Sequence, residues 1–269
     1  MAFRVLYDIF GAVYAVSLVL FFIDAVQPRR TVNRAALILL FVAFALETGF
    51  LLLRLAELGY APVYSPFDSM LLLSWLILSV ALVVNTFFRV DLFLFFANLL
   101  GFSLVVFDAF SRTGLVEYSA RQGDLLVLHI ALAMFSYACF SFAFIFSFMY
   151  LIQRRLLREK RWHTWFFRLP SLESLDLYAY RFILIGFPVL LVAMVLGSIW
   201  ERITLGHLSL SDPKPLATIV LWMMYGGYLF VRKRTGWGSA KYNWYNLFCF
   251  AALVLNYVIV GSFSAFHHV

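Results

Sequence analysis

Long apolar segments recur along the whole chain and are separated by short polar or basic stretches. A helix rises about 1.5 Å per residue, so about 20 apolar residues are enough to cross the roughly 30 Å hydrocarbon core of a bilayer. The segments lack the alternation with a period of two that marks the strands of a transmembrane barrel. We therefore predict eight transmembrane helices, at about 5–26, 35–53, 69–88, 92–110, 125–152, 182–200, 215–231 and 244–265.

The composition supports a membrane location for the chain. Of its 269 residues, 64% are hydrophobic and only 13% are charged, which is more apolar surface than a water-soluble core can bury. The first apolar segment lacks a convincing signal-peptide cleavage site, so we interpret it as the first helix. The sequence predicts an all-α, polytopic membrane protein whose residues 1–269 form a single eight-helix domain.

The basic residues are distributed unevenly between the two predicted faces of the membrane. The loops after the first, third, fifth and seventh predicted helices carry 15 of the 21 Lys and Arg residues. Basic loops stay on the cytoplasmic side, so we expect both termini to be external. The net charge of +7 then reflects topology, and we do not expect the protein to bind nucleic acid.

The longest predicted internal loop spans residues 153–181 and begins with a basic run. Residues 162–169 interleave tryptophan and phenylalanine with His163 and Arg168, as in an amphipathic helix at a lipid surface. We expect this segment to contact the lipid bilayer. A docking site for a cytosolic partner is the alternative.

Motifs of soluble enzymes are missing from the sequence. It contains no Walker A loop and none of the patterns HExxH, GxSxG or GxGxxG. Cys139 and Cys249 lie inside separate predicted helices without CxxC spacing, and we interpret them as packing residues. We do not expect the protein to be an enzyme.

Histidines gather at the predicted external ends of the helices. His129 opens the fifth helix, His267 closes the eighth, and His207 lies between the sixth and seventh. A neutral imidazole is a common ligand of iron, and two from different helices can hold a haem between them. The alternative is that these histidines only form hydrogen bonds with loop carbonyl groups. Four cations on the same face can pair with haem propionates, namely Arg54, Arg112, Arg202 and Lys214.

Four segments of the second half of the chain resemble landmarks of the cytochrome c assembly family, the CcsA, ResC and CcmC-like haem-handling proteins. They are residues 128–138, Gly-Ser-Ile-Trp at 197–200, Asp-Pro-Lys at 212–214 and Ser-Ala-Phe-His at 264–267. The resemblance implies that His129 and His267 ligate haem, with His268 as a possible substitute. The chain departs from the family at Ala217, where a tryptophan is expected, and its loop before 212 lacks the family's tryptophans. These departures argue against haem ligation to cytochrome c.

The first half of the chain resembles a subgroup of that family, the HemX proteins of Gram-positive bacteria. The segments concerned are Tyr-Asp at 7–8, Phe-Phe-Ile-Asp at 21–24 and residues 87–96. The resemblance implies a multi-pass protein of the bacterial cytoplasmic membrane that binds haem b and lowers the level of glutamyl-tRNA reductase, a possible cytosolic partner. A haem transporter or chaperone of cytochrome c assembly is the alternative.

Acidic residues within apolar segments need a partner or water. Glu47 precedes Arg54 by seven residues, two turns of one helix face, so we predict that they form a salt bridge. A proton path through Glu47 is the alternative. Asp24 lies close to a predicted helix end, where we expect it to be solvated.

Overall fold

A computed structural model describes residues 2–59, 61–63, 65–88, 91–110, 123–160, 164–206 and 213–260. Within these ranges the chain is helical and contains no strand, which confirms the predicted all-α class. The elements are α1 (Ala2–Val26), α2 (Arg30–Leu58), α3 (Pro66–Phe88), α4 (Asp91–Phe110), α5 (Asp124–Arg158), α6 (Thr164–Arg168), α7 (Leu172–Leu205), α8 (Pro213–Arg234), α9 (Ser239–Leu255) and a π-helical turn (Asn256–Val260).

Many of these helices have the length and composition of membrane spans. Among the described residues six qualify, in α1, α2, α3, α5, α7 and α8, and α4 contains the shorter apolar segment Leu92–Phe107. A multi-pass helical membrane protein is therefore confirmed. The count of eight spans and the external position of the termini stay predictions.

The helices group into two compact units. The first comprises Met1–Ser119 with His163–Leu169, and in it α1 packs against α2 and α4 while α3 packs against α4. The second comprises Ala120–Trp162 with Pro170–Val269. There α5 and α7 pack along each other, and α9 packs against α5 and α8.

Local sequence signals explain where α3 begins. The Ser65 hydroxyl accepts a hydrogen bond from the backbone N–H of Asp68 at 3.0 Å and donates one to the Asp68 carboxylate at 2.6 Å. Pro66 occupies the first helical position, where a missing N–H leaves no hydrogen bond unmade. Ser65 and Asp68 thus close a reciprocal cap at the start of α3.

The Asp68 carboxylate is also the ion partner of Arg54. It accepts from Arg54 Nε at 2.6 Å and from Nη2 at 3.1 Å, and both residues are buried. The predicted Glu47–Arg54 salt bridge is therefore wrong. A carboxylate on the neighbouring helix engages the guanidinium through two of its nitrogens, a geometry that favours this pair.

The short helix α6 is tied to the end of α1 through Asp24. Arg168 donates to the Asp24 carboxylate and to its backbone carbonyl, and Asn33 donates to the same carboxylate at 3.1 Å. The expectation that Asp24 is solvated is wrong, because these donors surround a buried carboxylate. The Phe167 side chain of α6 is 74% exposed, and contact of this segment with lipid or with a cytosolic partner stays a prediction.

Candidate functional site

His129 lies in the second turn of α5 and contacts α7 within the second unit. Its Nδ1 atom lies 2.6 Å from the backbone carbonyl oxygen of Ala193. A carbonyl group only accepts hydrogen bonds, so the network assigns the ring proton to Nδ1. In the neutral imidazole the other nitrogen, Nε2, then carries a free lone pair. This tautomer is the one that a histidine needs when it ligates a metal through Nε2.

Gly197 provides the space in which the imidazole ring lies. A Cβ atom placed on Gly197 would be 2.7 Å from His129 Cε1 and 2.8 Å from Nδ1, closer than real Cβ contacts. Ala193 and Gly197 are four residues apart and therefore share one face of α7. The Ala193 carbonyl group thus holds the ring on one turn of α7, and the next turn leaves space for the ring because Gly197 has no side chain.

Positive charge lies near the ring. Lys214, in the first turn of α8, is close enough to His129 for the two to interact electrostatically. One turn later Thr218 accepts a hydrogen bond from Asn256 Nδ2 at 3.2 Å, which connects the start of α8 to the π-helical turn after α9. Arg202, in the last turn of α7, is exposed. The second unit thus offers an imidazole and two cations at the adjoining ends of α5, α7 and α8.

The structure locates only part of the predicted site. His129 and Lys214 interact, and Arg202 lies on the helix that holds the His129 ring. Arg54 belongs to the first unit, where its charge is balanced by Asp68. The remaining predicted positions lie outside the described residues, namely Arg112, His207, His267 and His268.

Chain length permits His267 to approach His129. The Tyr257 ring of the π-helical turn contacts the Tyr137 ring of α5, with centroids 6.3 Å apart. Tyr137 follows His129 by eight residues, which is about 12 Å along the helix axis. Ten residues lead from Tyr257 to His267, and a chain of that length can extend by about 33 Å. The covalent connection therefore leaves room for the predicted pairing.

Sequence reasoning noted Gly197 only as part of a family landmark and assigned neither Ala193 nor Gly197 a role in positioning His129. Ala193 contributes only its backbone carbonyl group, so its side chain carries no signal in the sequence. Gly197 does carry a signal, because a glycine inside an apolar helix marks a position where another segment can approach closely.

The sequence of this chain is similar to those of known membrane-protein families. A family model described as "Cytochrome C assembly protein" matches residues 64–268. The chain is similar to Protein HemX of Brevibacillus brevis, with 38% identity covering 98% of this chain and 97% of the relative. For Protein HemX of Bacillus subtilis (strain 168) the identity is 35%, covering 95% and 94%. Cytochrome c biogenesis protein CcsA of Synechococcus sp. (strain CC9605) is 27% identical over 78% of each chain.

Proposed function

This chain belongs to the cytochrome c assembly family, and we propose that it is a haem-binding membrane protein that regulates haem biosynthesis. The hydrogen bond from His129 Nδ1 to the Ala193 carbonyl carries the proposal. This bond fixes the tautomer in which Nε2 carries the lone pair. A surface histidine bonded only to water needs no such fixed tautomer. Similarity to HemX proteins over nearly their whole length supports the regulatory role.

The residues of the second unit suit haem. His129 would ligate the haem iron through Nε2, and the cationic Lys214 and Arg202 would pair with the propionates. Arg54 is omitted from this part of the proposal because Asp68 already neutralises it. We assign the second imidazole that would ligate the iron to His267, with His207 and His268 as alternatives, and Arg112, which falls in the first unit, is omitted like Arg54.

The bound group is proposed to be haem b. Covalent attachment of haem to a chain uses two cysteines spaced as CxxC before a histidine. The two cysteines of this sequence, Cys139 and Cys249, are far apart and buried in different helices. When bound, haem would supply an iron centre that imidazoles can ligate. The binding energy of this ligation can favour one arrangement of the helices over another.

Regulation requires that haem bind two conformations with different affinity. We propose that occupancy at His129 changes the packing of the helices and thereby changes the internal loops at 154–168 and 232–241. Glutamyl-tRNA reductase is the proposed partner at these loops, and the role is one of binding without catalysis. Both termini are proposed to be external, in the cytoplasmic membrane of a bacterium.

A role in haem transport or chaperoning for cytochrome c assembly is the second candidate. The similarity to CcsA proteins over 78% of the chain favours it. The alanine at position 217 and the missing loop tryptophans remove an aromatic surface on which haem could stack.

Purification of the protein from haem-replete cells tests the proposal. We expect a Soret band in the absorption spectrum, and we expect deletion of the gene to raise glutamyl-tRNA reductase while covalent c-type cytochromes persist. Loss of those cytochromes with unchanged reductase would support the second candidate. A preparation without any Soret band would contradict both.

Gly197→Ala tests how His129 is held. The added methyl group would lie 2.7 Å from the ring, so the imidazole must move and lose its bond to Ala193. We expect haem affinity to fall by about 10- to 100-fold, the usual loss when a metal-ligating histidine loses its hydrogen-bond partner. Titration of haem into the purified protein measures this change.

Gly49→Ala is the matched control for Gly197→Ala. It adds the same methyl group inside α2, where nothing lies within 4 Å of the new atom. Equal haem affinities for the two variants would show that the packing of Gly197 against the ring is irrelevant to haem.

A further inference from the structure

The Glu47 carboxyl group is completely buried inside the first unit. Glu47 precedes the last residue of α2, Leu58, by eleven positions, so it lies about 16 Å from that helix end. Neither of its carboxyl oxygens makes a hydrogen bond of ordinary geometry with the described residues. Arg54, the cation two turns further along α2, is engaged by Asp68. Glu47 is thus a buried acid whose expected counter-ion is taken.

Two buried hydroxyl groups from neighbouring helices face this carboxyl group. Tyr14 of α1 and Ser74 of α3 are 0% exposed, and both interact with Glu47. Neither hydroxyl makes a hydrogen bond of ordinary geometry with the described residues. Next to them the Trp75 indole N–H donates to the Thr48 hydroxyl at 2.9 Å, which fixes the helix faces that carry Ser74 and Glu47.

The fourth helix closes the site around the tyrosine. The Tyr14 hydroxyl lies against Gly101 of α4, where a Cβ atom would collide with it. One turn further along α1, the Ser17 hydroxyl donates to the Ala36 carbonyl of α2 at 3.0 Å and accepts from Asn98 Nδ2 of α4 at 3.5 Å. The polar groups are therefore enclosed by helices and form a small cluster in an apolar bundle.

The charge of the surroundings determines what this cluster can hold. An isolated carboxylate is very unfavourable in a medium of low dielectric constant, and such a group takes up a proton instead. Helices α1 and α3 pack against α2. The acids they carry include Asp24 on α1, which pairs with Arg168, and Asp68 on α3, which pairs with Arg54. Among the described residues the group that faces Glu47 from α1 is the neutral Tyr14 hydroxyl, and from α3 it is the Ser74 hydroxyl.

We propose that Glu47, Tyr14 and Ser74 form a buried proton-binding site in the first unit. The Glu47 carboxyl group holds one proton at neutral pH and donates its hydrogen bond to one of the two hydroxyl oxygens. The proton comes from water and returns to water when α1, α2 and α3 separate enough to hydrate the carboxylate. The site lies outside the residues proposed to bind haem, so it does not depend on that function.

Infrared spectroscopy of the protein in lipid nanodiscs at neutral pH tests the site. We expect a carbonyl stretch of a protonated carboxylic acid, equivalent to one group per chain, that is lost in Glu47→Gln. Glu57→Gln is the matched control, since Glu57 lies on the same helix with an exposed side chain and should leave the band in place. Tyr14→Phe is expected to keep the band and shift its frequency, because the hydrogen bonding of the acid changes.

The wild-type protein provides a test that does not depend on folded variants. Growth with glutamate labelled with ¹³C at the side-chain carboxyl group should move the band, whereas equally labelled aspartate should not. Transfer to D₂O should shift the band more slowly than any signal from exposed acids, because exchange requires the helices to open. A wild-type spectrum at neutral pH without a protonated glutamic acid would overturn the proposal, whatever the haem content of the sample.

Discussion

Replacing His129 by alanine is expected to remove the Soret band from protein purified out of haem-replete cells. The substitution deletes the Nε2 atom that the hydrogen bond to Ala193 leaves with a free lone pair. Loss of the imidazole that would ligate the iron should weaken haem binding by more than the roughly 10- to 100-fold that loss of its hydrogen-bond partner costs. Added imidazole should restore part of the band, because a free ring can occupy the space left by the side chain.

His163→Ala is the matched control for His129→Ala. It makes the same chemical change in the predicted internal loop, and we expect it to leave haem binding intact. His267→Ala, His207→Ala and His268→Ala, made separately, identify the second ligand as the one whose loss alters the spectrum most. A spectrum of His129→Ala with the band position and intensity of the wild type would refute ligation of the haem iron by His129.

Replacing Arg54 by methionine is expected to destabilise the first unit by about 3–5 kcal/mol. The change leaves the buried Asp68 carboxylate without its guanidinium partner and also removes the cation that lies over the Phe67 ring. Adding Asp68→Asn should recover much of the loss, because it removes the uncompensated charge and keeps an acceptor for Ser65. Unfolding in a denaturing detergent, followed by loss of helical circular dichroism, measures the free energy of unfolding.

The control for the Arg54 variant is Arg155→Met. Arg155 pairs with Glu159 at 2.8 Å, yet its side chain is 78% exposed. Water and salt screen such pairs, so we expect no measurable change in the free energy of unfolding. If the two variants lost comparable amounts of unfolding free energy, the burial of the Arg54–Asp68 pair would contribute nothing to stability.

The helices could be predicted because each needs only a local pattern. Apolar segments of sufficient length identify the spans, and the described part of each predicted segment is helical in the structure, as far as residue 260. The partner of Arg54 could not be predicted in that way. Spacing along α2 suggested Glu47, but Asp68 follows a turn in the chain, and helical periodicity does not extend across a turn.

The sequence could predict the residue types of the candidate site but only part of their arrangement in space. The position of His129 at a helix end indicated an imidazole at the rim of the membrane. Its orientation depends on a contact with Ala193, 64 residues away, and such a contact follows from the packing of α5 on α7. The role of His267 came from the resemblance of the sequence to the cytochrome c assembly family, and His267 lies outside the described residues.

The cap at the start of α3 has a consequence for engineering this chain. Surface turns usually accept epitope tags and insertions without harm. Here Asp68, in the first turn of α3, also neutralises Arg54 near the end of α2. A longer connection between the two helices would allow the ends to separate and break this ion pair. Insertions between Gly59 and Ser65 should therefore be avoided, although the segment connects two helices.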